Sequence, residues 1–243
     1  MNRFTTELHR LYLPAGTAAE QPRPAEWPVI APDGQVRCAV LELFRPANWA
    51  AVSRLWQGVQ ADLDLPAPAI AVNGKDGYQL WFSWTQPMQL AQALAFMEAL
   101  RARYLPEVAT QRLRLLPQPG QTIAAIPSQR ADNGQWSAFV APDLAAVFED
   151  EPALDRSPGE DAQADALTRL RSIRPDEWLP ALGQLQPAQA QPDVAATPHP
   201  APETATAGPG AGLSPQAFLL QVMNDPGVTL ALRIEAAKAL LKA

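Results

Sequence analysis

The chain has 243 residues, 47% of them hydrophobic and 18% charged, with a net charge of −6 and a sequence pI near 5.0. That length has room for one good core and a smaller appendage. The acidic balance argues against a strongly basic nucleic-acid-coating protein, although it leaves a local basic groove open.

The N-terminal residues Met1–Glu7 contain no long apolar run of the signal-peptide kind, and residues 3 to 12 read as a short helix with Phe4, Leu8 and Leu11 on one side. Pro14 to Pro32 reads as an extended arm, anchored by Trp27 and Ile30. Val36 to Phe44 is mostly apolar and predicts a central strand. It contains the chain's single cysteine, Cys38, expected as a small core residue in a reducing compartment. Pro46 suits a first helical turn, and Trp49, Val52, Leu55, Trp56 and Val59 predict an amphipathic helix over 46–62.

Ala69–Val72 and Gly77–Trp84 predict two strands joined by Asn73-Gly74-Lys75-Asp76-Gly77, a segment rich in residues that accept positive φ. Gln86-Pro87 is read as the strand end, followed by a helix over 87–104. Leu113–Leu116 is a fourth strand. Two further strands are expected at Thr122–Ile126 and Gln135–Val140, with Asp132-Asn133-Gly134 as the turn between them. Pro142–Phe148 begins a short helix, and Glu149-Asp150-Glu151 reads as a solvated charge run.

The order strand, helix, strand, strand, helix, strand implies an α+β fold with a ferredoxin-like or RRM-like core and extra antiparallel strands. Both helices cover one sheet face, and the other face is left for a ligand or another layer. The expected organisation is an N-terminal helix and arm (1–35), the α+β domain (36–150) and a helical extension (151–186) with helices over 161–173 and 175–185. A Pro/Ala/Gln-rich disordered linker (187–213) and a C-terminal helical hairpin (214–243) follow. No apolar run reaches the roughly 18 to 20 residues that a membrane-spanning helix needs, so the expected setting is the cytoplasm.

Val72-Asn73-Gly74-Lys75-Asp76-Gly77-Tyr78-Gln79-Leu80-Trp81-Phe82 resembles the second motif of the archaeo-eukaryotic primase superfamily, where a turn precedes Gly, an aromatic, His, a hydrophobe and Trp. Cys38 to Phe44 sits where that family carries its Asp-x-Asp motif. Leu115-Leu116-Pro117-Gln118 resembles the stretch at its third motif. Ile126-Pro127-Ser128-Gln129, Asn133-Gly134 and Trp136–Val140 are similar to its later strand pair. The resemblance covers roughly residues 36 to 148. A second, shorter resemblance links Val222–Pro226 and Leu232–Ala239 to the tails of small phage-terminase-related proteins.

The departures from the family pattern bear on chemistry. Two-metal phosphoryl transfer needs several carboxylates converging on one point. Here the first motif offers only Glu42, whose neighbours on the same strand face are Val40 and Phe44. Gln79 stands at the histidine position, and Arg114 lies near the third acidic position, where its charge would repel a metal. The two histidines, His9 and His199, fall in the N-terminal segment and the linker. No metal site, cofactor or catalytic residue is expected. No Gly-x-Ser-x-Gly elbow, Cys-His pair with nucleophile spacing or phosphate loop is present.

Gln79, Trp81 and Ser83 share one strand face with Glu42. Trp81 is either a base-stacking platform or is covered by the extra strands or the N-terminal arm. Lys75, Arg112, Arg114 and Arg130 are candidate phosphate contacts at one end of the sheet, or else a solvated rim. The reading is therefore a non-catalytic, primase-like binding or adaptor protein contacting single-stranded nucleic acid. The alternative is an interaction scaffold whose residues 214–243 dock a protein partner, with Arg233, Lys238 and Lys242 on its last helix; active nucleotidyl transfer ranks third.

Overall fold

A computed structural model describes residues 2–14 and 25–185, which belong to the first of two units, Met1–Pro192. The linker expected at 187–213 and the hairpin expected at 214–243 lie outside the described residues. Two long antiparallel strands, β2 (Gln35–Phe44) and β4 (Gly77–Gln89), form the middle of the main sheet. β3 (Ala69–Val72), β5 (Leu113–Leu116) and β7 (Ala138–Val140) complete it in the order β5-β2-β4-β3-β7, with every neighbouring pair antiparallel. Helix α2 (Trp49–Ala61) connects β2 to β3, and α3 (Leu90–Tyr104) connects β4 to β5. A short ribbon pairs β1 (Glu26–Trp27) with β6 (Ile123–Ala124). Helices α1 (Arg3–Leu11), α4 (Glu160–Thr168) and α5 (Pro175–Leu185) make this a mixed α+β fold with five α-helices among the described residues.

Strand periodicity assigns the two faces. Tyr78, Leu80, Phe82 and Trp84 of β4, with Ala39, Leu41 and Leu43 of β2, pack on α2, α3 and α5. Cys38, Val40 and Trp81 point the other way, against Phe4, Leu8 and Leu11 of α1, Ala164 and Leu167 of α4, and Trp27. The second face is therefore covered by a layer built from the N-terminal helix, the ribbon and α4. Among the described residues no helix is long and apolar enough to cross a membrane.

Several elements differ from the sequence reading: α3 begins at Leu90 and not at 87, and the strands expected at 122–126 and 135–140 shorten to β6 and β7. Helix α2 starts at Trp49 because Asn48 is its cap: the Asn48 Oδ1 accepts from the Ala51 amide at 2.8 Å, which leaves Pro46 outside. β4 runs through Pro87 to Gln89 because its register against β2 jumps, so that Cys38 faces Ser83 but Val36 faces Met88. Helix α4 stops at Thr168, and Ile173 instead pairs in parallel with Trp84. The two later strands do not pair with each other: β6 joins β1 and β7 joins β3. Only the Gln129–Trp136 bridge lies across the expected turn. Pro127 lacks the N–H a ladder needs, and the hydroxyl of Ser137 accepts from the Ser128 amide at 2.9 Å instead.

Two consequences of this packing are measurable. The Tyr104 hydroxyl bonds to the Gly58 carbonyl at 3.2 Å, and a Cβ at position 58 would lie 2.2 Å from the ring's Cε1. Gly58→Ala should gain about 1 kcal/mol of helix propensity. It should lose more by forcing α2 and α3 apart, since overpacking costs about 1–3 kcal/mol. Thermal unfolding should show a lower Tm; a higher one would show that the ring moves aside freely.

The second consequence concerns pH. Burial pushes the Cys38 thiol from its ordinary 9.0 up to about 12, and the Tyr104 hydroxyl, also by burial, from 10.0 up to about 12. A raised native pKa means that the folded chain holds a proton the unfolded chain has released. The contribution is thus complete below pH 9.0 and is lost as pH rises toward 12. Between pH about 9 and 10, denaturant unfolding should show stability falling by up to about 1.4 kcal/mol per pH unit from the thiol. Cys38→Ala should flatten that first part of the slope, and an unchanged slope would mean that other groups set it.

Candidate functional site

Strand register builds the candidate site. Glu42 of β2 stands directly opposite Gln79 of β4 on one side and Arg114 of β5 on the other. Side chains directly opposite on one face are close enough to interact, and these three do. The Gln79 Nε2 donates to the Glu42 Oε1 at 3.2 Å, and the Arg114 Nη1 donates to the Glu42 Oε2 at 3.2 Å. A third donor comes from the β3–β4 turn: the Asn73 Nδ2 reaches the Glu42 Oε1 at 3.0 Å and the Asp76 Oδ1 at 3.1 Å. The Glu42 side chain is 6% exposed and that of Arg114 is 56% exposed. The guanidinium also lies over the Phe44 ring, 5.0 Å from its centre.

The amide orientations follow from the network. The Asn73 Oδ1 accepts from the backbone amides of Lys75, Asp76 and Gly77 at 2.9 to 3.0 Å, so its nitrogen faces the carboxylates. This Asx-type turn needs Gly74 at φ +77, and Gly77 packs so closely that a Cβ there would lie 2.4 Å from the Leu43 carbonyl oxygen. The Gln79 Oε1 accepts from the Trp81 Nε1 at 2.9 Å, which turns its nitrogen toward Glu42.

These groups form part of the lining of a cleft of about 410 Å³. Glu42, Asn73 and Gln79 meet Arg114, Arg130 and the segment from Gln121 to Ile126 there. Ser128 and Ser137 also line it, with their hydroxyls 3.2 Å apart. At its edge Lys75 bonds Asp132 at 2.5 Å, and this contact, helped by Arg130, holds the Asp132 carboxyl down at about 2.

Of the residues named from sequence, Glu42, Gln79, Arg114 and Arg130 come together here, and Lys75 reaches the site through Asp132. Arg112 stands apart, with its Nη2 donating to the Pro46 carbonyl at 2.9 Å. The stacking role considered for Trp81 is not open to it. The residue is 1% exposed and enclosed by Tyr12, Trp27 and Phe139 at centroid distances of 5.3, 5.6 and 5.7 Å. Asn73, Ser128 and Ser137 also belong to the site. The sequence marks Asn73 only as a turn former, and nothing in the spacing of the two serines brings them together.

Chemically, the cleft offers hydrogen-bond donors and cations around one carboxylate. No histidine or cysteine is among its lining residues. Among the described residues, no group of three His, Cys, Asp or Glu side chains is placed to hold a metal ion. In comparisons with known proteins, no family model matches the chain and no curated protein matches it.

Removing Arg114 would leave a buried carboxylate without its cation. Because the arginine is half exposed, Arg114→Met should cost only about 1–3 kcal/mol in chemical denaturation. Arg114→Met combined with Glu42→Met should recover part of that loss in a double-mutant cycle. Strict additivity would show that the pair contributes nothing.

Proposed function

We propose that the chain is a catalytically inactive relative of the primase superfamily, built on a ferredoxin-like core, that binds single-stranded nucleic acid at the Glu42 cleft. Support for the core comes from the element order β2-α2-β3-β4-α3-β5 and the sheet order β5-β2-β4-β3, which suit a split βαβ arrangement. Support for lost catalysis comes from the row Arg114–Glu42–Gln79, which occupies the positions where the resemblance expects acidic residues and a histidine.

That row is the observation that carries the reading. A metal pair needs carboxylates on both sides, with free lone pairs. Glu42 is the one carboxylate among the cleft's lining residues, and its oxygens already accept from Arg114, Asn73 and Gln79. What remains is recognition. A guanidinium carries five N–H donors, and Arg114 directs one of them to Glu42 at hydrogen-bonding distance. The rest, with those of Arg130, suit phosphate oxygens. Trp81 supports the site from below by fixing Gln79, not by stacking on a base.

The test is fluorescence anisotropy with a labelled oligo-dT strand and the full chain. Binding should appear at about 50 mM salt and weaken steeply by about 200 mM. Arg114→Gln and Arg130→Gln should each reduce affinity by about tenfold, or about 1.4 kcal/mol. Nucleotide incorporation with Mg²⁺ or Mn²⁺ should be undetectable. Absence of binding at the lower salt would refute the nucleic-acid reading, and incorporation that disappears in Glu42→Gln would refute the loss of catalysis.

A further inference from the structure

The register jump between β2 and β4 creates a second polar site. Arg37 is the single β2 residue opposite the span Trp84–Pro87, which has no partner in β2. The segment from Ser172 to Arg174 enters that gap. The Ile173 amide donates to the Ser83 carbonyl at 2.8 Å, the Thr85 amide donates to the Ile173 carbonyl at 2.9 Å, and the Ser83 and Ser172 hydroxyls bond at 2.9 Å. A cleft of about 630 Å³ results, lined by Arg10, Arg37, Thr85, Arg171, Ser172 and Arg174. Four of these six residues are arginines, and none is acidic.

Neighbouring groups hold the arginines in place. The Arg10 Nη1 and Nη2 donate to the carbonyls of Leu170 and Leu167 at 2.8 and 3.0 Å, and its Nε donates to Glu7 at 2.7 Å. The Arg37 Nη1 and Nη2 donate to the carbonyls of Leu13 and Arg10 at 3.3 and 3.1 Å, while its buried Nε has no hydrogen-bond partner. Arg171 and Arg174 share Glu177. The Arg171 Nη1 donates to both carboxylate oxygens at 2.7 and 2.8 Å, and the Arg174 Nη2 donates to one at 3.1 Å. Burial pushes the Glu177 carboxyl up, but the Arg174 amide and both guanidiniums outweigh it and hold it below its ordinary value. Asp176 sits 3.5 Å from the Arg174 Nε. None of the three carboxylates, Glu7, Asp176 or Glu177, lines the cleft.

We infer that this four-arginine cleft binds a ligand carrying two or more phosphate groups. Several guanidiniums in fixed orientations with the Thr85 and Ser172 hydroxyls suit the tetrahedral oxygens of phosphate, and the volume admits more than one such group. With no aromatic or aliphatic residue in its lining, the cleft reads charge and not a base. The same chemistry is offered by a free oligophosphate and by a polynucleotide backbone. This site is distinct from the Glu42 cleft, and the two have no lining residue in common.

Isothermal titration of the full chain with sodium tripolyphosphate at about 50 mM salt tests it. Saturable binding is expected. Its affinity should fall at least tenfold in Arg171→Gln combined with Arg174→Gln, whose side chains are 55% and 57% exposed. Arg54→Gln, at a similarly exposed arginine outside both clefts, should leave it unchanged. If the double variant does not fold by circular dichroism, Arg171→Glu alone serves. Displacement of a labelled oligo-dT strand by tripolyphosphate from Arg114→Gln protein would identify a backbone as the source, and tripolyphosphate binding without strand binding would identify a free ligand. No heat in the wild type, or an equal loss in Arg54→Gln, would overturn the inference.

Discussion

The indole N–H of Trp81 must find an acceptor inside the protein, because the ring is enclosed by Tyr12, Trp27 and Phe139 and no water-facing edge is left. A buried donor without a partner costs about 1–3 kcal/mol, so the contact to the Gln79 oxygen is a constraint on everything next to it. It fixes the amide plane and presents the nitrogen to Glu42. Glu42 then requires a cation, and β5 supplies Arg114 in the facing position. The chain from aromatic core to cleft surface is therefore a sequence of obligations, each set by the group beneath it. A histidine at position 79 would have to meet the same tryptophan and the same carboxylate with two ring nitrogens. Glutamine meets both with an acceptor and a donor on one rigid amide.

Much of this arrangement is legible in the sequence. Alternation along Gly77–Trp84 places Gln79 and Trp81 on one face and Tyr78, Leu80, Phe82 and Trp84 on the other, and both sets lie where the period puts them. Glu42 stands on the predicted face with Gln79 opposite. The cover over Trp81 is not legible to the same degree. Tyr12, Trp27 and Phe139 come from three separate segments, and periodicity within a segment says nothing about which segments meet. The extent of β4 is not legible either, because Pro87 looks like a terminator. A proline is tolerated in this strand because its part of β4 lies in a register jump, where no ladder bond to β2 is required of it. The arginine cleft was invisible for the same reason as the aromatic cover: Arg10, Arg37, Arg171 and Arg174 form no motif until three elements are brought together.

Charge in the Glu42 cleft bears on what can bind there. An arginine beside a lone carboxylate changes that carboxylate's role from metal ligand to structural acceptor, because its lone pairs are directed at N–H groups that cannot leave without cost. The same arginine is half exposed and retains donors on its outer edge. A ligand with phosphate oxygens can engage that edge without dismantling the pair, whereas a divalent cation would have to displace it. The register of three strands thus places a cation and two amide donors around the one carboxylate of the cleft lining.

The β2–β4 pair also accounts for why, among the described residues, the Glu42 cleft and the arginine cleft are separate and not one continuous groove. Where the strands are in phase, Glu42 meets Gln79 and the polar row is closed at its base by Trp81. Where the phase breaks, Arg37 loses its partner strand and residues 172–174 fill the gap. The two positions are five residues apart on β2, or about 16 Å at a strand's rise per residue. The second-layer residues Tyr12 and Trp27 pack over Trp81 between them. A ligand that engaged both clefts would need to span that covered ridge, which a phosphate backbone of several nucleotides can do and a mononucleotide cannot. The register jump therefore sets the spacing between the two clefts.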